Sequence, residues 1–347
     1  MRARPEFAFV VAFVRHRIRH RTAPDLVPRL PRHAHQRPPE QRPLAAAGAV
    51  RERRSADDTL THGGVEITAG RSVCPMKDDT VVAIGERLIG LARDLGQEQR
   101  GLAILGEGNV SADCFDGTFL VKASGSSLGS LEAGDLCRVR FEPILALLER
   151  QTASDEEVQH ELGASLVDGG HKKPSVETFF HAACLTEGGA RWVAHTHAVT
   201  INQILCSARG AQPFLDHIFP DAIVVCGKLP AVVPYVDPGL PLASAVLAEL
   251  RRYREVHHQS PRLLLLENHG AIALGQSARE ALAITLMAAK WATLLHGTYA
   301  LGGPRFLGAV DVERIDSRSD EHCRRRALSR EGPVATPERA AEASDDG

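Results

Sequence analysis

The chain has 347 residues, with 41 Lys and Arg against 43 Asp and Glu, so its net charge is close to zero. A composition of 44% hydrophobic and 24% charged residues is typical of a soluble globular protein and gives no overall charge that would attract nucleic acid or a membrane. The seven cysteines are scattered without a CxxC pair, which argues against a disulfide framework or a thiolate zinc site and predicts a reducing, cytoplasmic location.

Residues 1–75 are predicted to be an extension outside the folded domain. Residues 1–54 contain 13 Arg and only four acidic residues. The apolar run 7–14 is too short to cross a bilayer, and the basic run 15–21 that follows it argues against a signal peptide. We favour a disordered or mis-started extension over a basic arm for polyanions or a transit-like leader. Met76 precedes a predicted helix and is hypothesised to be the true initiator, which mass spectrometry of the native protein would test.

The first half of the domain is predicted to combine helices with a β-hairpin. Asp116-Gly117 lies between two short alternating runs, which is a strong hairpin signal. The Gly- and Ser-rich loops 106–111 and 124–129 flank this hairpin and could direct backbone N–H groups at an anion such as phosphate. The other predicted elements are a helix over 78–96, a strand over 135–141, a helix over 142–150, a short helix capped by Ser154, and a helix from about Glu177 to Leu185 capped by Ser175.

The second half is predicted to mix strands and helices without a regular βαβ alternation. The predicted strands cover 192–197, 223–226, 231–234, 263–267 and 271–274, and the predicted helices cover 197–207, 240–254 and 277–301. Tight turns between several strands predict a largely antiparallel sheet covered by helices in one α/β domain over 76–315. A helical and then disordered polar tail is predicted over 316–347.

The histidine pair His195 and His197 is the strongest chemical signal in the chain. Side chains alternate across a strand, so residues at i and i+2 point to one face. Two neutral imidazoles on one face can share a divalent metal, which then needs another His or a carboxylate from elsewhere in the chain. Glu177 and His181 lie one helical turn apart on a predicted helix just before this strand.

Four separated motifs resemble, in order and spacing over residues 79–303, the class II aldolase/adducin family. They are GEGNVS at 106–111, KASG at 122–125, PSVE at 174–177 with HTH at 195–197, and NHG at 268–270. The stretches KASGSS at 122–127 and GGPRF at 302–306 are most similar to a bacterial branch related to rhamnulose-1-phosphate aldolase. The resemblance implies a three-layer α/β/α fold with a central, mainly antiparallel sheet. It also implies a homotetramer whose active sites lie at subunit interfaces.

The same resemblance implies the site residues. It implies a divalent metal, most often Zn²⁺, held by His195, His197 and His269, with Glu177 as the catalytic acid/base. It implies that a phosphate group of a small sugar substrate is bound by Asn109, Ser124, Gly125 and Ser175. Two departures stand out. Val176 replaces a serine common in the family, and no tyrosine occupies 217–221, where fuculose-phosphate-type aldolases have a proton donor.

The function that the resemblance predicts is that of a metal-dependent aldolase, a carbon–carbon lyase. It would cleave a ketose, preferably a ketose 1-phosphate, to dihydroxyacetone (phosphate) and an aldehyde through a metal-stabilised enediolate. The alternatives are 4-epimerisation or dehydration of a sugar phosphate at the same metal site, and a non-catalytic, adducin-like scaffold, which is less favoured because all three histidines are present. A lysine Schiff base is set aside because the six lysines accompany no (βα)₈ alternation.

Overall fold

The computed structural model of the protein describes residues 78–150, 152–167 and 172–330. The predicted extension over 1–75, the hypothesised start at Met76 and the end of the predicted tail lie outside these residues. The division of the chain at 75 and 315 therefore stays a prediction. No helix in the described part of the chain is long and apolar enough to cross a membrane.

Seven strands form one sheet in the spatial order β3-β2-β1-β4-β7-β6-β5. Every neighbouring pair is antiparallel except β5 and β6, which are parallel. The predicted largely antiparallel sheet is thus confirmed, with one parallel pair at an edge. The strands are β1 (Asn109–Asp113), β2 (Thr118–Lys122), β3 (Leu136–Arg140), β4 (Trp192–Thr196), β5 (Ala231–Val233), β6 (Leu263–Leu266) and β7 (Gly270–Gly275).

Helices cover both faces of the sheet, and each face has its own apolar core. α1, α5, α6 and α8 pack against one face, and α2, α3, α4 and α7 pack against the other. This arrangement is the predicted three-layer α/β/α fold. The helices are α1 (Asp78–Leu95), α2 (Phe141–Leu148), α3 (Asp155–Ala164), α4 (Thr178–Thr186), α5 (Val199–Leu205), α6 (Pro220–Cys226), α7 (Leu240–His257), α8 (Ala278–Ala300), α9 (Ala309–Asp316) and α10 (Ser319–Ser329).

The central strands are buried on both faces, which explains their sequences. In β6, Leu263 and Leu265 enter one core while Leu264 and Leu266 enter the other. A strand covered on both sides is a continuous apolar run rather than an alternating one. β4 shows the same division, because Ala194 packs into the first core and Val193 into the second.

The predicted strand over 223–226 is wrong, because these residues form the end of α6 (Pro220–Cys226). Ile223, Val224 and Val225 are β-branched and favour strands by propensity. Pro220 occupies the first helical turn, where its fixed φ suits a helix, and the helix is buried in the core. Arg325 of α10 donates to the carbonyl oxygens of Ile223 and Val224, so partners distant in sequence satisfy the end of this helix.

Candidate metal centre

One end of the sheet brings together the motifs that are far apart in the sequence. β4 ends at Thr196, and its neighbour β7 begins at Gly270 in the opposite direction, with Thr196 paired to Ala271. His197 follows β4 and His269 precedes β7, so the two lie side by side. On the other edge of β4, Asn109 at the start of β1 pairs with His195. The predicted strand included His197, which stands one residue beyond the end of β4, yet its ring still meets that of His195.

Two glycines and one asparagine allow the chain to close this tightly. A Cβ atom on Gly270 would lie 2.4 Å from the carbonyl oxygen of Thr196, and a Cβ on Gly108 would lie 2.7 Å from that of His195. Side-chain carbon atoms do not approach backbone oxygens so closely, so only glycine fits at these positions. Asn268 has a φ of 56°, in the left-handed region that asparagine tolerates, and this turn places His269.

The three imidazoles and one carboxylate converge on a single point. One ligand atom from each of Glu177, His195, His197 and His269 lies within 4.8 Å of the others. The ring centroids of the three histidines are 4.8 to 5.1 Å apart. Glu177 Oε1 lies 3.5 Å from His195 Nε2 and 3.8 Å from His269 Nε2. The predicted meeting of His269 with the histidine pair is therefore seen in the fold.

The ring of His195 is held in one orientation by the backbone. His195 is fully buried, and its Nδ1 lies 3.1 Å from the carbonyl oxygen of Ala271. Because a carbonyl oxygen only accepts hydrogen bonds, Nδ1 carries the proton and the lone pair of Nε2 faces the centre of the site. On the opposite side, Glu107 Oε1 lies 3.8 Å from His197 Nδ1. Glu107 was not singled out from the sequence, although it lies within the GEGNVS motif.

Glu177 is placed by the beginning of α4. It is itself the N-cap residue, where the sequence predicted Ser175, and its N–H donates to Ser175 Oγ, two residues earlier, at 3.2 Å. Burial alone would raise the pKa of Glu177, but the adjacent His195 and His269 outweigh this effect and hold the pKa well below its usual range. Glu177 Oε2 also lies 3.5 Å from Asn109 Nδ2. The side chain is therefore a carboxylate at neutral pH, held beside the histidines.

His181 lies beneath the site and does not point into the histidine cluster. Its Nδ1 is 2.7 Å from Ser111 Oγ on β1, and its Nε2 is buried without a hydrogen-bond partner in the described part of the chain. Burial lowers the pKa of His181 to about 3, so the ring is neutral at pH 7. This position agrees with a structural role in which His181 supports α4 against β1.

The donor set fits a divalent metal of the zinc type. Burial, with help from the two neighbouring histidines, lowers the pKa of His197 to about 4, so its ring is neutral as a metal ligand must be. The Nε2 atoms of His195 and His197 are 3.0 Å apart. Two nitrogens bound at about 2.0–2.1 Å to one tetrahedral zinc would be separated by roughly 3.3 Å. Small ring movements would therefore convert this cluster into a metal site.

The predicted substrate-binding residues lie on segments that adjoin the histidine cluster. Asn109 contacts Glu177, and Ser175 Oγ accepts a hydrogen bond from the N–H of Glu177. Ser124 N–H donates to Lys173 O at 2.9 Å, so the turn that holds Ser124 and Gly125 lies against the segment that leads to Ser175. Their role in binding a substrate stays a prediction.

The three tyrosines of the chain make their contacts outside the histidine cluster. Tyr235 is exposed and donates to Asp237, and Tyr253 donates to Leu229 O. Tyr299 stacks with Arg209. In the described part of the chain, no hydrogen bond or ring contact joins a tyrosine to Glu177, His195, His197 or His269.

The chain matches known proteins over the part that carries these motifs. The model of the Class II Aldolase and Adducin N-terminal domain matches residues 86–296. YuxG of Bacillus subtilis, an uncharacterized oxidoreductase, is 29% identical over 46% of this chain, and the match spans only 20% of YuxG. The 3-oxo-tetronate 4-phosphate decarboxylase of Pectobacterium atrosepticum is 29% identical over 53% of this chain and 71% of its own length.

A solved structure shows the same fold. YgbL of Klebsiella pneumoniae, named as a candidate aldolase/epimerase/decarboxylase, is 25% identical in sequence and superposes with a TM-score of 0.53. The superposition covers 67% of this chain and 98% of YgbL.

Proposed function

The chain belongs to the class II aldolase and adducin N-terminal domain family, and on this premise we propose that it is a metal-dependent carbon–carbon lyase acting on a phosphorylated sugar derivative. The observation that carries the proposal is the convergence of Glu177, His195, His197 and His269 within 4.8 Å. A scaffold protein of the same fold would have no need to keep three imidazoles and one carboxylate around a single point. We further propose that the metal is zinc, because three histidine nitrogens suit it.

The chemistry of the site follows from what a cleaved carbon–carbon bond requires. When bound, the divalent cation would polarise the substrate carbonyl and offset the negative charge left by the departing fragment. His195, His197 and His269 would hold it without cancelling its charge, because all three are neutral ligands. Glu177 would move a proton to or from the carbon that keeps the bonding electrons. Asn109, within reach of Glu177, would orient the carboxylate or the substrate hydroxyl.

Two lyase reactions would leave the electron pair on the same kind of carbon. Aldol cleavage of a ketose 1-phosphate breaks the C3–C4 bond and releases a three-carbon ketone phosphate and an aldehyde, and a base must take the proton of the hydroxyl on C4, which becomes the aldehyde carbon. Decarboxylation of a 3-oxo-tetronate 4-phosphate releases the same ketone phosphate and CO₂. In that case the C1–C2 bond breaks, its electrons stay on C2, and C2 then takes up a proton. One site could therefore bind the common fragment in either reaction.

Decarboxylation is the reaction that we favour of the two. Loss of CO₂ needs no base to take a proton from a substrate hydroxyl, and none of the contacts made by the tyrosines in the described part of the chain reaches Glu177 or the three histidines. The Pectobacterium relative, which is 29% identical, bears the name of a 3-oxo-tetronate 4-phosphate decarboxylase. Aldol cleavage, as predicted from the sequence, is the second candidate, with a base supplied by a neighbouring subunit of the predicted homotetramer.

The test is to incubate the zinc-loaded protein with 3-oxo-tetronate 4-phosphate and with a panel of ketose 1-phosphates. Release of dihydroxyacetone phosphate scores lyase activity in both, and CO₂ or an aldehyde as the second product identifies the reaction. Glu177→Gln and His197→Ala are the matched controls, and we expect each to lower kcat at least a hundredfold. Full activity of Glu177→Gln would refute its proton-transfer role. Epimerised or dehydrated products without cleavage would refute the lyase assignment.

A further inference from the structure

The two segments that carry the predicted phosphate-binding serines are joined side by side. Ala123 and Pro174 form an isolated antiparallel bridge, and Ser124 N–H donates to Lys173 O next to it. The segment around Pro174 thereby continues the sheet beyond the start of β1, beside the end of β2. Ser124 and Ser175 are held on neighbouring lengths of backbone by this pairing rather than by chance proximity of two loops.

The register of this bridge puts a lysine next to the serines. In an antiparallel pairing, opposite residues share a face and successive residues alternate. Ala123 and its partner Pro174 are both buried. Ser124 and Lys173, the next pair, are both exposed on the other face. Ser175 belongs to that face by the same alternation, so the two serines and Lys173 border the same surface.

The other side chains near this surface are either apolar or already hydrogen-bonded. Val176, which stands where many relatives have serine, packs against the apolar core and offers no hydroxyl. The buried ammonium of Lys122 donates to the carbonyl oxygen of Ser126 at 2.8 Å. Lys172 is paired with Asp135. The ammonium of Lys173 has no ion-pair or hydrogen-bond partner among residues 78–150, 152–167 and 172–330.

We propose that Lys173 is a substrate-binding residue that pairs with the phosphate of the substrate and selects the phosphorylated compound. The proposal rests on the proposed function, because it assigns the cation that this lyase would use for its anionic substrate. A charge-assisted bond from an ammonium to a phosphate dianion compensates for the hydroxyl that Val176 lacks. Lys173 lies outside the metal cluster, so it acts on binding and not on the chemical step.

The experiment measures binding of inorganic phosphate to the full-length, zinc-loaded protein by titration calorimetry at low salt. We expect Lys173→Gln to weaken phosphate binding about five- to tenfold and Lys173→Arg to retain most of it, with the difference shrinking as salt is added. Arg279→Gln is the matched control, because Arg279 is an exposed cation beyond the opposite end of β7 and should leave phosphate binding unchanged. Any direct binding of phosphate to the zinc ion would occur equally in all variants, so it would not produce a difference between them.

Kinetics on the phosphorylated substrate gives the second readout. We expect Lys173→Gln to raise KM by a similar factor while kcat stays within about twofold of the wild-type value. Equal phosphate binding by wild type and Lys173→Gln would overturn the proposal, and so would a wild-type protein that binds no phosphate. If phosphate binding depends on Lys173 but no carbon–carbon bond is cleaved, the lyase function falls and the phosphate subsite stands.

Discussion

Replacing Gly270 by alanine tests whether close approach of β7 to β4 builds the candidate metal centre. The new Cβ would lie 2.4 Å from the carbonyl oxygen of Thr196 and 3.0 Å from Cδ2 of His197. The oxygen belongs to the backbone of a paired strand and cannot swing away. Backbone φ at Gly270 is not in the left-handed region, so the effect of the substitution is steric. The strands must separate by about 0.6 Å even to reach 3.0 Å.

The magnitude follows from that displacement. Overpacking of this kind costs about 1–3 kcal/mol, offset by roughly 0.4–1 kcal/mol because alanine restricts the unfolded chain more than glycine does. We therefore expect a net loss of about 1–2 kcal/mol and a melting temperature lower by roughly 2–8 °C. Metal–ligand distances tolerate only about 0.2 Å. A shift of the His197 and His269 backbones should thus weaken zinc binding at least tenfold.

The assay combines urea unfolding of the metal-free protein with competition for zinc against a chromophoric chelator. Gly90→Ala is the matched control, because a Cβ on Gly90 in the middle of α1 meets no atom within 4 Å. That substitution should stabilise the protein by about 0.5–1 kcal/mol through helix propensity and leave zinc affinity unchanged. Wild-type stability together with wild-type zinc affinity in Gly270→Ala would refute the steric argument.

Three further outcomes are expected. Zinc should raise the melting temperature of the wild type, and either His269→Ala or an added chelator should abolish that rise. Activity lost to the chelator should return when zinc is added. A zinc-dependent rise that survives in His269→Ala would remove His269 from the ligand set. The pKa of His181 is about 3 in the folded protein against about 6.5 in the unfolded chain. Between these two pH values only the unfolded state binds the extra proton, so the free energy of unfolding falls as the pH drops below 6.5. His181→Asn should therefore lose less stability than the wild type between pH 7 and pH 5 in urea unfolding of the metal-free protein, by about 2 kcal/mol, and equal losses would contradict the buried neutral ring. Arg262→Met should cost about 3 kcal/mol in urea unfolding, because it leaves the buried carboxylate of Glu280 without its guanidinium partner at 2.7 Å; a loss below 1 kcal/mol would show that Glu280 is satisfied by its other donors.

Local chemistry was enough to predict most elements of this fold. Asp116-Gly117 predicted the hairpin between β1 and β2, and Ser154 with Glu157 predicted the capping box that begins α3. The four leucines of β6 predicted a buried strand. These signals lie within a few residues of the structure they specify, because turns, caps and alternating burial depend on nearby backbone and side-chain groups.

Contacts between distant segments decided the rest. The run Ile223–Val225 favours a strand by itself and becomes helical where Pro220 starts the turn and α10 supplies donors to its last carbonyls. The motif histidines could be chosen from the sequence only as a set, by resemblance to a family. The pairing of Thr196 with Ala271 brings His269 against a pair that precedes it by more than 70 residues, and Gly108 and Gly270 permit that approach. Sequence alone therefore determined which side chains can bind a cation, and strand register determined that they meet, because register is set by packing across the whole sheet.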